Sequence, residues 1–389
     1  MTSTALFDPA VHEPPIDEPW DPARVQAAIR TIVEDAEDAF DDGWPTHPSD
    51  SDGPDDDVRR FRTTYLGGAG VVQALTALQR RGVAELRRDY IPYLERPYDP
   101  DFPEDDHERS LWMGETGIRL VLQRLAPSSE NADRLEALIR GNIRDERCEI
   151  MWGSPGTMLA ANALHGLSGE SRWLELWEES AAWLREQWDP ETDLWTQRLY
   201  GREDQIVGPA HGFAGCVLAL AQHADEEVHR RAATAVRRYA VEQDGLANWT
   251  PATSHNGLQN SRGEIRVQWC HGSPGIVASL ARIAPGDEEH ERLLVAGGEL
   301  TWRAGPLAKG ANLCHGTAGN GYAFLALFAR TGDERWLERA RVFAMHAAAQ
   351  VARTRDELGR GRYTLWTGDP GTALYLADCL DGSLNVPVI

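Results

Sequence analysis

The chain has 389 residues, of which 42% are apolar and 26% charged, with a formal net charge of −22. That length suits two or three average domains or one large barrel, and the acidity argues against DNA or RNA as a partner, since nucleic-acid binders present a basic face. No run of about 18 apolar residues and no basic-then-apolar leader is found, so no membrane span is expected and a cytoplasmic location is.

Residues 1–60 predict one helix, from Pro22 to Phe40, followed by the acidic, turn-rich stretch DDGWPTHPSDSDGPDDD. Such composition is expected to form a mobile surface segment ahead of a folded domain over 61–389. In that domain Gly-x-x-Gly followed by an apolar helical run recurs seven times, with first glycines at Gly67, Gly114, Gly153, Gly212, Gly272, Gly316 and Gly368. Intervals of 39 to 60 residues leave room for a second helix in each unit. Stretches such as SRWLELWEESAAWLREQW and EEVHRRAATAVRRYAVEQ carry apolar positions at three-to-four spacing with charged faces, as amphipathic helices do. Apolar helices alternating with amphipathic ones predict an all-α fold: an α/α barrel, or toroid, of seven helical hairpins. Glycine at the start of each apolar helix allows unusual backbone angles or close approaches. Two longer non-helical stretches, from Trp195 and from Leu246, lead into the fourth and fifth motifs, and loops of that length are often functional.

Five cysteines, few and far apart, do not suggest a disulfide framework. Cys148, Cys216 and Cys379 read as small buried hydrophobes. Cys270 and Cys314 differ, because Cys-His-Gly-x-x-Gly occurs twice in succession, at Cys270-His271 and Cys314-His315. Neighbouring units of a ring would bring both turns to one rim. Two thiolates and an imidazole suit zinc, and three protein ligands leave a fourth position open for a substrate. Spacing alone leaves His271 and His315 competing for the third place.

The segments VQWCHGSPGI, LCHGTAGNGYAFLAL and GPAHGFAGCVLAL resemble the lanthionine synthetase C family and its eukaryotic lanthionine synthetase C-like relatives, over about residues 60–380. The resemblance implies an α/α barrel with a catalytic zinc ion (Zn2+) on Cys270, Cys314 and His315. It implies further that His211 handles protons, that Glu149 stands where the family carries an acidic residue, and that Arg266 matches an active-site arginine of the bacterial cyclases. The implied reaction adds a thiol to a dehydroalanine or dehydrobutyrine residue of a peptide, with Arg266 or His271 stabilising the enolate. The thiol is then a cysteine of the same peptide or glutathione. The electrophile would come from a separate dehydratase or from a phosphorylated Ser/Thr peptide. Two other readings compete. A glycoside hydrolase would need two facing carboxylates, drawn from Glu149, Glu115 and Asp369. A zinc-stabilised protein that binds peptide or glutathione would need no catalysis.

Overall fold

A computed structural model describes residues 5–50, 58–104, 106–254 and 264–388. Seven helices begin at the motifs: α2 (Gly68–Arg80), α4 (Glu115–Leu125), α6 (Ser154–Ser168), α8 (Phe213–Leu220), α10 (Ser273–Leu280), α12 (Thr317–Thr331) and α14 (Asp369–Asp381). They alternate with α1 (Pro22–Asp38), α3 (Ile91–Leu94), α5 (Ser129–Asn142), α7 (Ser171–Glu186), α9 (Glu226–Tyr239), α11 (Glu288–Ala304) and α13 (Glu334–Leu358). Each motif helix packs on the next, and α14 packs back on α2, which closes the ring. The alternate helices lie outside this ring, and α12 with α13 and α6 with α7 form its largest hairpins.

The two helix sets start differently. Outer helices α1, α5, α9, α11 and α13 are capped by Asp21, Ser128, Asp225, Asp287 and Asp333, whose side chains accept first-turn N–H groups. All seven inner helices are capped by the first motif glycine, with no side-chain bond. In five of them the first N–H is satisfied by the preceding loop, which folds back under its own helix; in α10 the Ser273 N–H donates to the Asn248 side-chain oxygen. The N–H of Gly68, Glu115, Phe213, Thr317 and Asp369 each donate to the carbonyl seven residues earlier, at 2.7–2.9 Å. That fold-back explains the second glycine. A Cβ on Gly70, Gly117, Gly156, Gly215, Gly275, Gly319 or Gly371 would lie 1.8–2.2 Å from a carbonyl oxygen of the loop. The motif therefore records close approach, and only Gly272, at φ +109°, also requires a left-handed backbone.

Two outer positions depart from the expected hairpins. The first, after α2, is reduced to the four residues of α3. The seventh is filled by α1, which packs on α14 and α13 and buries Val25, Ile29, Ile32, Val33 and Ala36. The helix expected in a segment ahead of the barrel is thus part of its outer wall. Trp44 and His47 are also buried, while the acidic residues 51–57 lie outside the described residues.

Two antiparallel hairpins precede the fourth and fifth motifs: β1 (Gln197–Leu199) with β2 (Arg202–Asp204), and β3 (Ala240–Gln243) with β4 (Leu246–Trp249). After α14 the chain turns into the barrel interior. Asp378, fully buried, accepts hydrogen bonds from Asn385, Ser383, Tyr322 and Arg81, and the indole N–H of Trp112 donates to the Val388 carbonyl at 2.9 Å. Among the described residues no helix is long and apolar enough to cross a membrane.

Candidate metal centre and proton-handling pair

The rim at the N-terminal ends of the inner helices is stitched together by its loops. Cys270 N–H donates to the Cys314 carbonyl, Cys314 N–H to the Trp366 carbonyl, and Tyr65 N–H to the Trp112 carbonyl, at 2.9–3.0 Å. Counting back from the first motif glycine, Tyr65, Trp112, Cys270, Cys314 and Trp366 share one register position; Trp152, His211, His271 and His315 share the next. Ring closure converts this linear register into a single surface. The indoles of Trp112, Trp269 and Trp366 pack under it, with Trp366 centroids 4.4 and 4.6 Å from those of Trp112 and Trp269.

One ligand atom each from Cys270, Cys314 and His315 lies within 4.8 Å of the others. Both cysteines are buried and His315 is half-buried. The sulfurs are further supported from the protein side: the Tyr65 hydroxyl donates to Cys314 Sγ and the Gln268 amide to Cys270 Sγ, each at 3.0 Å. The hydrogen bond from Cys270 pulls the Cys314 thiol well below its ordinary range, against burial and with help from His315 and Tyr65. The same bond, together with burial, pushes Cys270 up, so the pair shares one proton. Burial and the adjacent sulfurs raise the Tyr65 phenol, which keeps it a donor. Two sulfurs and an imidazole this close can hold a metal ion.

The two Cys-His turns are not equivalent. At Cys314 the loop is held by Asn312, whose side-chain oxygen accepts the His315 N–H at 3.0 Å. At Cys270 a tight turn is closed by reciprocal backbone bonds between Gln268 and His271, both 3.1 Å, just before the left-handed Gly272. His271 lies with His211 along one cavity. It is buried and neutral, pushed down to about 3 by desolvation, with His211 and Arg266 adding.

His211 is oriented from behind. Its Nδ1 lies 3.0 Å from Oε2 of Glu149, and its ring stacks on Trp152, which stacks in turn on His107, at centroid distances of 5.1 and 5.2 Å. Glu149 is fully buried and also accepts the N–H groups of Met151, Trp152 and Gly153 at 2.9, 2.6 and 3.1 Å. In the third motif its side chain thus ties down the loop that leads into α6. The sequence places Glu149 among the candidate catalytic groups; the structure places it fully buried behind His211. Arg266 is half-buried, and its charge reaches Cys270 and His271.

The carboxylates needed for glycoside hydrolysis are committed elsewhere. Glu115 is buried against Arg119 and Arg134. Asp369 accepts the Arg362 N–H at 3.0 Å and is pushed up to about 6 by burial. The remaining cysteines, Cys148, Cys216 and Cys379, are buried, and burial raises their thiols. Tyr65, Gln268 and Asn312 were not anticipated. The shared register position of Tyr65 with Cys270 and Cys314 is the signal that marks Tyr65.

Comparison with known proteins follows the same lines. A family model described as lanthionine synthetase C-like protein matches residues 63–389. Glutathione S-transferase LANCL1 of Danio rerio is 33% identical over 187 residues, 46% of this chain and 44% of that protein. LanC-like protein GCL1 of Arabidopsis thaliana is 30% identical over 172 residues, 42% and 38% of the two chains. The alignments therefore span less than half the length of either relative. Among solved structures, nisin cyclase superposes with a TM-score of 0.60 over 81% of this chain and 88% of its own, at 17% identity, which shows a common α/α toroid fold.

Proposed function

The chain belongs to the lanthionine synthetase C-like family, and on that footing we propose that it adds a thiol to a dehydroalanine or dehydrobutyrine residue of a peptide, using a zinc ion held by Cys270, Cys314 and His315. The observation that carries this reading is the convergence of these three ligand atoms within 4.8 Å on one rim. Zinc prefers such donors. Three protein ligands leave one position for a substrate sulfur. Bound there, zinc would supply the Lewis acidity that turns a thiol into a thiolate at neutral pH.

The remaining chemistry falls to the protein's own side chains. Addition forms a bond between sulfur and the β-carbon, and the electron pair of the double bond moves toward the carbonyl. The α-carbon then needs a proton, and the one the thiol gives up, taken by Nε2 of His211, supplies it. Nδ1 of His211 is committed to Glu149, and an ionised carboxylate only accepts, so Nδ1 carries the hydrogen and Nε2 is left to serve the substrate. Imidazole suits this exchange because it titrates near neutrality. His271, neutral and lining the same cavity, and Arg266 are the groups proposed to stabilise the developing oxyanion. In reverse, the same pair would take the α-proton from phosphoserine or phosphothreonine as phosphate departs, generating the electrophile.

The similarity to a glutathione S-transferase of Danio rerio favours glutathione as the thiol. Ring closure by a cysteine of the same peptide is the second form of this reaction, with a separate dehydratase as partner. Incubation with a dehydroalanine peptide, with and without glutathione, followed by mass spectrometry tests the proposal. A glutathione adduct requiring stoichiometric zinc is expected, and Cys314→Ala should lose both zinc and turnover. Full turnover in that variant would sink the metal mechanism. Binding of peptide and thiol without any turnover would leave a non-catalytic binding protein.

A further inference from the structure

The β1–β2 hairpin overhangs the cavity that leads to the proton-handling pair. That cavity has a volume of about 370 Å³ and is lined by Gln197, Tyr200, Arg202, Asp204, His211 and His271, together with the apolar Leu199 and Ile206. It lies within the ~300–1,000 Å³ range of small-molecule sites. Three features of the hairpin bear on this cavity. Tyr200 sits at the turn with φ +54°, followed by Gly201 at φ +70°, a left-handed pair that ordinarily takes Asn or Asp with Gly. It is 79% exposed, the most exposed of the large hydrophobic side chains, yet its ring meets Trp152 edge-on at 5.6 Å, against the indole that stacks on His211. Arg202, one residue past the turn, is exposed and has no carboxylate partner among the described residues.

That last point distinguishes it from its neighbours. Arg198 on the paired strand bonds Glu203, and Asp204 is taken by Ser254 and the Gln205 N–H. Arg266, whose charge bears on His271, likewise has no carboxylate partner among the described residues. Arg202 lines the His211–His271 cavity, and a guanidinium binds carboxylate or phosphate through two parallel hydrogen bonds.

We propose that the β1–β2 hairpin is an anion-recognition arm, in which Arg202 binds a carboxylate or phosphate of the substrate and Tyr200 covers its apolar part above His211. This rests on the thiol-addition reading and names its substrate class: a partner carrying an anionic group a short distance from the reacting carbon or sulfur. Glutathione carboxylates and the phosphate of a phosphoserine peptide offer the same chemistry, and kinetics can tell them apart.

The test compares the wild-type protein with Arg202→Gln and Arg202→Lys. Each receives glutathione or the neutral thiol N-acetylcysteamine with an uncharged dehydroalanine peptide, and, separately, phosphoserine or unphosphorylated peptide. Arg202→Gln should lower the ratio of kcat/KM for the anionic over the neutral partner roughly 10-fold or more, through KM, with partial rescue by Lys. A drop confined to glutathione assigns the arm to the thiol; a drop confined to phosphopeptide assigns it to the electrophile. An unchanged ratio in both arms overturns the proposal. If wild-type protein turns over no pair, thiol addition itself fails, and calorimetric titration with S-methylglutathione and with a phosphoserine peptide reads the arm directly. Equal affinities in wild type and Arg202→Gln, or no binding to either, would then refute it.

Discussion

Glu149 holds His211 by a 3.0 Å contact between its Oε2 and the imidazole Nδ1, from a position with no solvent exposure. The carboxylate has four donors to satisfy, three of them backbone N–H groups of its own loop, so it serves the turn and the histidine at once. Replacing it with an amide brings an NH2 group against donors. Glu149→Gln is expected to lower kcat about 10–100-fold with little change in KM or zinc content, the usual loss when the partner orienting a functional histidine is removed. Steady-state kinetics beside metal analysis checks this; an equal loss of zinc would mean the whole rim had collapsed.

Tyr65 touches Cys314 Sγ from the first motif, 249 residues away in sequence. Tyr65→Phe removes that hydroxyl while keeping the ring stacked near Trp112 and Trp366. Zinc should still bind stoichiometrically, but with affinity lower by about 10-fold, measured by chelator competition. Unchanged affinity would show that the hydroxyl contributes nothing to holding the sulfur.

The motif glycines give a contrast in stability. A Cβ on Gly275 would meet the Trp269 carbonyl oxygen at 1.8 Å and Pro209 at 2.7 Å. Gly275→Ala should destabilise the fold by about 3 kcal/mol or more, because neither backbone can yield. Gly166, inside α6 with nothing within 4 Å of its Cβ position, should behave oppositely. Gly166→Ala is expected to stabilise by about 0.5–1 kcal/mol through helix propensity. Denaturant midpoints of the two variants decide it.

His290 supplies a pH dependence away from the metal centre. Burial pushes it down to about 4, with Arg330 and Arg237 opposing its charge and Asp287 and the Leu280 carbonyl favouring it. Its folded value lies below the ordinary 6.5, so the unfolded chain takes up the proton first as pH falls. The stability due to neutral His290 is fully present above pH 6.5 and is lost between 6.5 and 4, an effect of order 2–3 kcal/mol. In His290→Gln the urea midpoint should fall less steeply across that window than in the wild type.

Much of this protein is legible in its sequence because a repeat is a periodic signal. Seven Gly-x-x-Gly copies marked the inner helices, and each first glycine is the residue that caps one. The amphipathic spacing marked the outer helices wherever they are long. It gave no sign of the four-residue α3, too short to show a period, nor of the role of α1, whose partner α14 is more than 300 residues downstream.

The chemistry divides in the same way. Residue type and motif repetition are local properties, so the sequence alone determined that two Cys-His turns exist and that their donors suit a soft metal. Which histidine joins the sulfurs was decided by tertiary structure. The Gln268–His271 turn and the left-handed Gly272 divert His271 toward His211, whereas Asn312 ties the turn bearing His315 beside the two sulfurs. Tyr65 and Glu149 took their places only through ring closure and burial, because contacts between the first and sixth motifs, and the third and fourth, depend on where the helices meet in space.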